Sequence, residues 1–229
     1  MRVITVRDQQ DLERYVDFPR EVYAGNLNWV PEDRDLQLSE IAGSTASASH
    51  CRIQPFLAGE DGRVLATVTA VVDDAFNAHW QEPAGHLFHF EALPDAGDAA
   101  AGALDAACAW LKAAGCAFAR QSFLYGWQLP LTIDAYDVRP TFLHTFNPPY
   151  YHRFIKNAGF AAEKGAVEYQ VRFDDALAAR YRGFLEQAQG RGFRLRPWDF
   201  SRLEDETALF VTLYNRAFFR HWGAPQFHL

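Results

Sequence analysis

Cysteine is scarce. Cys51, Cys108 and Cys116 are the only three, and no two of them stand at the close spacing of a metal-ligand pair. An odd count fits a reducing compartment, and each thiol reads as a small core residue rather than a nucleophile. Basic runs are also missing. The net charge is −7, which excludes the electrostatic footprint of a nucleic-acid binder. No stretch reaches the roughly 18 apolar residues of a membrane span. The opening MRVITVRDQQDLERY lacks the apolar core of a signal peptide, so a cytoplasmic location is expected. There is no P-loop and no Gly-x-Gly-x-x-Gly. Ser44, Ser47 and Ser49 sit in a small, polar stretch expected to be mobile, without the strand-turn-helix context of a nucleophile elbow.

What is present is apolar and aromatic. Hydrophobic residues make up 49% of the 229 and aromatics 15%, enough for a sizeable core or for the lining of an apolar groove. RVITVRD reads as a strand, and DLERYVDFPREVYAG as a helical region interrupted at Pro19. RIQPFLA and RVLATVTAVVDD, split by Gly59-Glu60-Asp61-Gly62, form the clearest hairpin. GHLFHFEAL is a third strand. Asp98 is placed to cap a helix running to about Ala114, with Leu104, Cys108 and Leu111 on one face and Gly115 at its end. CAFARQSF, TFLHTF and AVEYQVRF are further strands, and Asp174 to about Gln189 is a helix. Strands alternating with helices after an antiparallel hairpin predict an α/β fold with a mixed sheet flanked by helices.

Two segments carry the chemistry. In HLFHFEAL, alternation puts His89 and Glu91 on one face of a strand and His86, Phe88 and Phe90 on the other. A histidine and a carboxylate on one face can share a proton, or take one from an amine through water. That same alternation sends His86, His89 and Glu91 to opposite faces, so they are not read as a metal set, and no metal is expected. The second segment is NPPYYHRFIKNAGF. Pro148 and Pro149 stand where a helix begins, and Gly159 where it stops. Tyr150 and Tyr151 read either as stacking residues or as proton donors. His144, in TFLHTF, is another candidate donor.

The order strand, helix, hairpin, strand, long helix, strand, short helix and Gly-Phe resembles the GNAT acyltransferase fold. Asn147, Phe154, Gly159 and Phe160 match the Asn, short helix and Gly-Phe of such chains. FPREVYAGNLNWVP, LAGEDGRVLATVTAVVDDAFNAHW, HFEALPD, NPPYYHRFIKNAGF and YNRAFFRHWG more closely resemble a bacterial group of two-half GNAT-like proteins. VITVRDQQDLERY also has a loose echo in FRLRPWDFSRLEDE. The resemblance implies a GNAT-like domain over residues 1–190, with residues 191–229 starting a second, truncated half or forming a helical extension. It implies transfer of an acyl group from a thioester, on coenzyme A or an acyl carrier protein, to an amine that is small or lipid-like. Glu91 is the expected base and His89 its helper, with Tyr150 or Tyr151 as proton donor, because Ile155 holds the place where GNAT chains often carry a tyrosine. Gly97, Gly102 and Asn147 are the expected coenzyme A contacts. The family's pyrophosphate loop opens with Arg or Gln. Here LPDAGDAAAGAL puts Asp95 and Asp98 there, two carboxylates at a helix end that favours anions. The alternative is a non-catalytic lobe that binds a partner or shapes a groove for a catalytic second half. Leu209, Val211, Leu213, Phe218 and Phe219 of the last helix need cover, from that half or from a homodimer.

Overall fold

The computed structural model describes residues 1–121, 131–141, 146–169, 171–224 and 226–227, apart from the side chains of Ala46 and Ser47. The elements run β1 (Arg2–Thr5), α1 (Gln9–Asp17), α2 (Pro19–Val22), α3 (Arg34–Ile41), β2 (Cys51–Glu60), β3 (Arg63–Asp73), α4 (Asp74–Trp80), β4 (Ala84–Ala92), α5 (Gly97–Ala113), β5 (Phe118–Gln121), α6 (Tyr150–Asn157), α7 (Asp175–Gly190) and α8 (Leu203–Phe218). The expected mobile serine stretch contains a 3₁₀ turn, Ala46–His50. Met1–Gly165 with Arg220–Gln226 forms one unit, and Ala166–Phe219 with Phe227 belongs to a second.

The first unit is built on a mixed five-stranded sheet in the order β1-β2-β3-β4-β5. The first four strands pair antiparallel, and β4 pairs β5 in parallel. The β2–β3 hairpin turns at Asp61 and Gly62. Both have positive φ (49° and 81°), the geometry of a two-residue turn whose twist matches the strands. Pro19 splits the first helical region into α1 and α2, as a ring without an N–H must.

Helices cover both faces. On one, Ala66, Val68, Ala70 and Leu87 pack against Ala100, Ala103, Leu104 and Leu111 of α5 and Phe154 of α6. The alanines let α5 lie close, and Gly102 comes so near β1 that an added Cβ would sit 3.2 Å from Val3. On the other, Tyr15, Val16 and Phe18 meet Leu57 and Ile41. Each such large apolar side chain contributes roughly 1.5–3 kcal/mol on burial. Leu104 and Leu111 are buried as their spacing predicts. Asp98 is not the cap of α5: Ala96 occupies that position, without a side-chain hydrogen bond, and Asp98 lies in the first turn.

β4 departs from simple alternation. Its register with β3 runs Val71 to His86, Ala70 to Leu87 and Thr69 to Phe88, then resumes at Thr67 to Glu91. The extra residue is absorbed at His89, whose φ is +47°. Such a bulge flips the parity of every side chain beyond it. His86, Phe88 and Glu91 therefore share the Thr67–Thr69 face, and Phe90 turns into the α5 core. The expected split of His89 and Glu91 from His86 and Phe88 is thus corrected. A left-handed histidine costs roughly 1–3 kcal/mol and needs support. The His89 carbonyl accepts from the Tyr15 hydroxyl at 3.2 Å and from Thr67 at 3.4 Å.

In the second unit, Asp174 caps α7 by accepting from the Leu177 N–H at 2.9 Å. The described part of AVEYQVRF has no strand, because its residues find no sheet partner among the described residues. Tyr214 stacks on Phe218 at 4.7 Å between ring centres, and Asn215 brackets the backbone of Phe227 with two 2.9 Å hydrogen bonds. Leu209, Leu213 and Phe219 of the C-terminal helical stretch are exposed.

Candidate active site

Glu91 is the centre of the candidate site. It stands near the end of β4, after the bulge, half-buried on the face opposite α5. The Tyr151 hydroxyl donates to its Oε2 at 2.5 Å, and the Tyr23 hydroxyl reaches its Oε1 at 3.4 Å. Burial pushes the Glu91 carboxyl up to about 8, a nearby Glu32 adds to the rise, and the two phenols pull it back. It therefore changes charge close to neutral pH, where a general base is most useful.

Tyr151 comes from α6, whose start is set by the two prolines, with Pro149 as its N-cap residue. At the other end, Gly159 has φ +88°, which lets the chain leave the helix. Tyr151 is 1% exposed and packs edge-on against Phe90 at 5.0 Å. Its hydroxyl accepts from the Ala92 N–H at 2.7 Å while donating to Glu91. Burial holds this phenol well above its usual range, so it donates a hydrogen bond and keeps its proton. Tyr150 is less enclosed. Its hydroxyl donates to the Ala92 carbonyl at 2.8 Å, and burial pushes it up to about 12. Both rings make edge-on aromatic contacts, Tyr151 with Phe90 and Tyr150 with Tyr151 and Phe154. Ile155 is buried in the core.

His89 sits in the bulge. Its Nδ1 is 3.4 Å from the Gln37 amide on α3, and its Nε2 is buried with no partner among the described residues. Burial lowers its basicity, which keeps the ring neutral. Among the described residues, the grouping of histidine, cysteine and carboxylate side chains whose ligand atoms lie close enough for a metal is His50, Cys51 and Asp73, not His86, His89 and Glu91.

The expected cofactor contacts separate. Gly97 is the first residue of α5, and the N-cap residue before it, Ala96, makes no side-chain cap. Gly102 lies inside the helix and serves close packing on β1. Asn147 is buried and fully engaged: its Oδ1 accepts from the Thr132 N–H at 2.8 Å, and its Nδ2 donates to the carbonyls of Thr132 and Pro148, each at 3.1 Å. It fixes the approach to α6. His144 lies outside the described residues.

Tyr23 was not anticipated. It lies just after α2, 3% exposed, stacked on Trp29 at 4.9 Å, and its hydroxyl also reaches the Phe146 carbonyl at 3.2 Å. The stretch FPREVYAGNLNWVP drew notice as a motif, but only the fold brings this ring to Glu91.

No protein-family model matches the chain. It is 22% identical over 230 residues to Protein YghO of Escherichia coli K12, a match covering 98% of this chain and 58% of that protein. It is 24% identical over 229 residues to the bacterial ceramide synthase of Caulobacter vibrioides, covering 97% of this chain and 59% of that one. The chain thus spans about three fifths of the length of these curated relatives. Among solved structures, the aminoglycoside 6'-N-acetyltransferase AAC(6')-Ig of Acinetobacter haemolyticus superposes with a TM-score of 0.47 at 15% identity, over 76% of this chain and all of that one. AAC(6')-Iy, in complex with a bisubstrate analogue of coenzyme A, gives a TM-score of 0.45 at 16% identity, over 75% of this chain and 98% of that one. The chain is therefore similar along nearly its whole length to two bacterial proteins, one of them a ceramide synthase.

Proposed function

We propose that the protein is an N-acyltransferase in which Glu91 acts as general base. The observation that carries this is the half-buried carboxyl at the end of β4, poised at about 8 and oriented by Tyr151. In the reaction, the acceptor ammonium loses its proton to Glu91. The freed amine attacks the thioester carbonyl, a C–N bond forms, and the C–S bond breaks. The departing thiolate takes a proton from Tyr150 or from water, and that donor is restored by the second proton shed from the attacking nitrogen, leaving an amide and a free thiol. Tyr151 is a positioning residue. The His89 Nε2, buried with no partner among the described residues, is proposed to hold a water on the path of the acceptor's proton.

The acyl carrier is a thioester of coenzyme A or of an acyl carrier protein. The uncapped first turn of α5, entered at Gly97, offers N–H donors to a pyrophosphate, and Asp98 in that same turn opposes it. A lipid-like amine is the acceptor we favour. Trp29 stacks on the tyrosine that touches Glu91, and Leu27 and Val30, which flank it in the chain, are exposed apolar residues. The relative that makes ceramide supports the same reading.

Calorimetry with acetyl-CoA, a long-chain acyl-CoA and free CoA tests this directly. Micromolar binding that tightens with acyl length is the expected result. If none of the three binds, and an acyl carrier protein delivers no acyl group, the chain is a non-catalytic lobe and the proposal falls.

A further inference from the structure

We propose that His50, Cys51 and Asp73 form a binding site for a divalent transition-metal ion, with zinc the best match to its mixed nitrogen, sulfur and oxygen donors. The hairpin register builds it. Cys51, the first residue of β2, lies directly opposite Asp73, the last of β3. Cross-strand partners present their side chains on one face of the sheet, so thiol and carboxylate emerge side by side. His50 ends the preceding 3₁₀ turn and brings its ring to the same place.

The distances suit a tetrahedral ion. Each residue offers one ligand atom, and the three atoms lie within 4.8 Å of one another. Cys51 Sγ is 3.6 Å from His50 Nδ1. Zinc bonds of about 2.3 Å to sulfur and about 2.0 Å to nitrogen set the matching tetrahedral edge at about 3.5 Å. His50 Nδ1 and Asp73 Oδ1 are 2.8 Å apart, and an ion would spread them by about half an ångström. Asp73 is 3% exposed and is held in place by accepting from the Phe76 N–H at 2.8 Å, as the cap of α4. A carboxylate has about four acceptor sites, so the cap leaves others for a metal. The His50 side chain is 27% exposed, which gives an ion a path in. Three protein ligands leave a fourth position for water or a further donor.

The site is separate from the acyl-transfer centre. Thr67, the β3 partner of Glu91, is six residues from Asp73 along the strand, about 20 Å at the usual rise. A metal here would clasp β2, β3, α4 and the turn before β2, and would act on stability rather than on the reaction. The rival account of the same cluster is a helix cap with a histidine partner and a neighbouring thiol.

Cobalt(II) separates the two, because a Co–thiolate bond adds a charge-transfer band in the near ultraviolet. Titrating the full chain with Co²⁺ should give one equivalent of binding, that band, and the intense visible bands of tetrahedral cobalt. Cys51→Ser should abolish the charge-transfer band, and His50→Gln should weaken binding by about tenfold or more. Cys108→Ser should change neither. Zn²⁺ should displace the cobalt and raise the unfolding temperature of the parent chain but not of Cys51→Ser. Absence of the band in the parent chain, or its survival in Cys51→Ser, overturns the proposal. Should Cys51→Ser not fold, His50→Gln carries the test, and unchanged affinity there is equally decisive against it.

Discussion

Glu91 sits where water is scarce and two phenols meet it, and these neighbours set both its acidity and its aim. Replacing it with Gln keeps the shape and removes the proposed base. Turnover should fall by about 10²–10⁴, the usual contribution of general base catalysis, with the circular dichroism spectrum unchanged. Tyr151→Phe makes a different prediction. The phenol's hydrogen bond holds the Glu91 carboxyl lower than burial alone would. Without it, the acidic limb of the pH–rate profile should move to higher pH. The Ala92 N–H also loses its acceptor, at a cost of about 1–3 kcal/mol, readable as a lower denaturation midpoint. A residue that only packed the core would lower stability without moving the profile.

The hairpin, the long helix α5 and the Pro-started helix α6 were legible as elements because their signals are local: alternation, turn residues, spacing and caps. The bulge in β4 was not. Nothing in HLFHFEAL announces an extra residue, since His89 is a left-handed residue only because Tyr15 and Thr67 hold its carbonyl from other elements. The parity of Phe88 and Phe90 followed from alternation alone and so came out wrong. Glu91 is proposed from its type and place, whereas the contacts of Tyr23 with Glu91 and of Gln37 with His89 are not legible, because long-range contacts leave no spacing to read. α4 and α3 were missed as well, each short and capped by an aspartate, Asp73 and Asp33. At this scale Gly85 offers a clean test. A Cβ there would lie 2.6 Å from Leu111, so Gly85→Ala should push α5 from β4 and cost about 1–3 kcal/mol, measured as a drop in unfolding temperature.

For the whole molecule, buried carboxyls tie stability to pH. Burial raises Glu91 to about 8 and Glu40, near Glu32, to about 7. A carboxyl that holds its proton more tightly when folded gives stability that is complete below the unfolded value and is lost as pH rises through the folded one. The chain should therefore be less stable to denaturant at pH 9 than at pH 5, with most of the loss between about pH 4.5 and 8. Glu91→Gln should flatten that decline. Equal slopes in the two proteins would mean that Glu91 titrates as an ordinary exposed carboxyl. Among the described residues no helix is long and apolar enough to cross a membrane.

The pH dependence of acyl transfer to an amine, compared between the parent chain and Glu91→Gln, bears most directly on the assignment of Glu91 as base. The parent should show a rate that rises to a plateau with an apparent pKa near 8, and the variant a rate lower by at least about a hundredfold with that limb gone. A variant with the parent's rate and the same limb would contradict the assignment and place the base elsewhere.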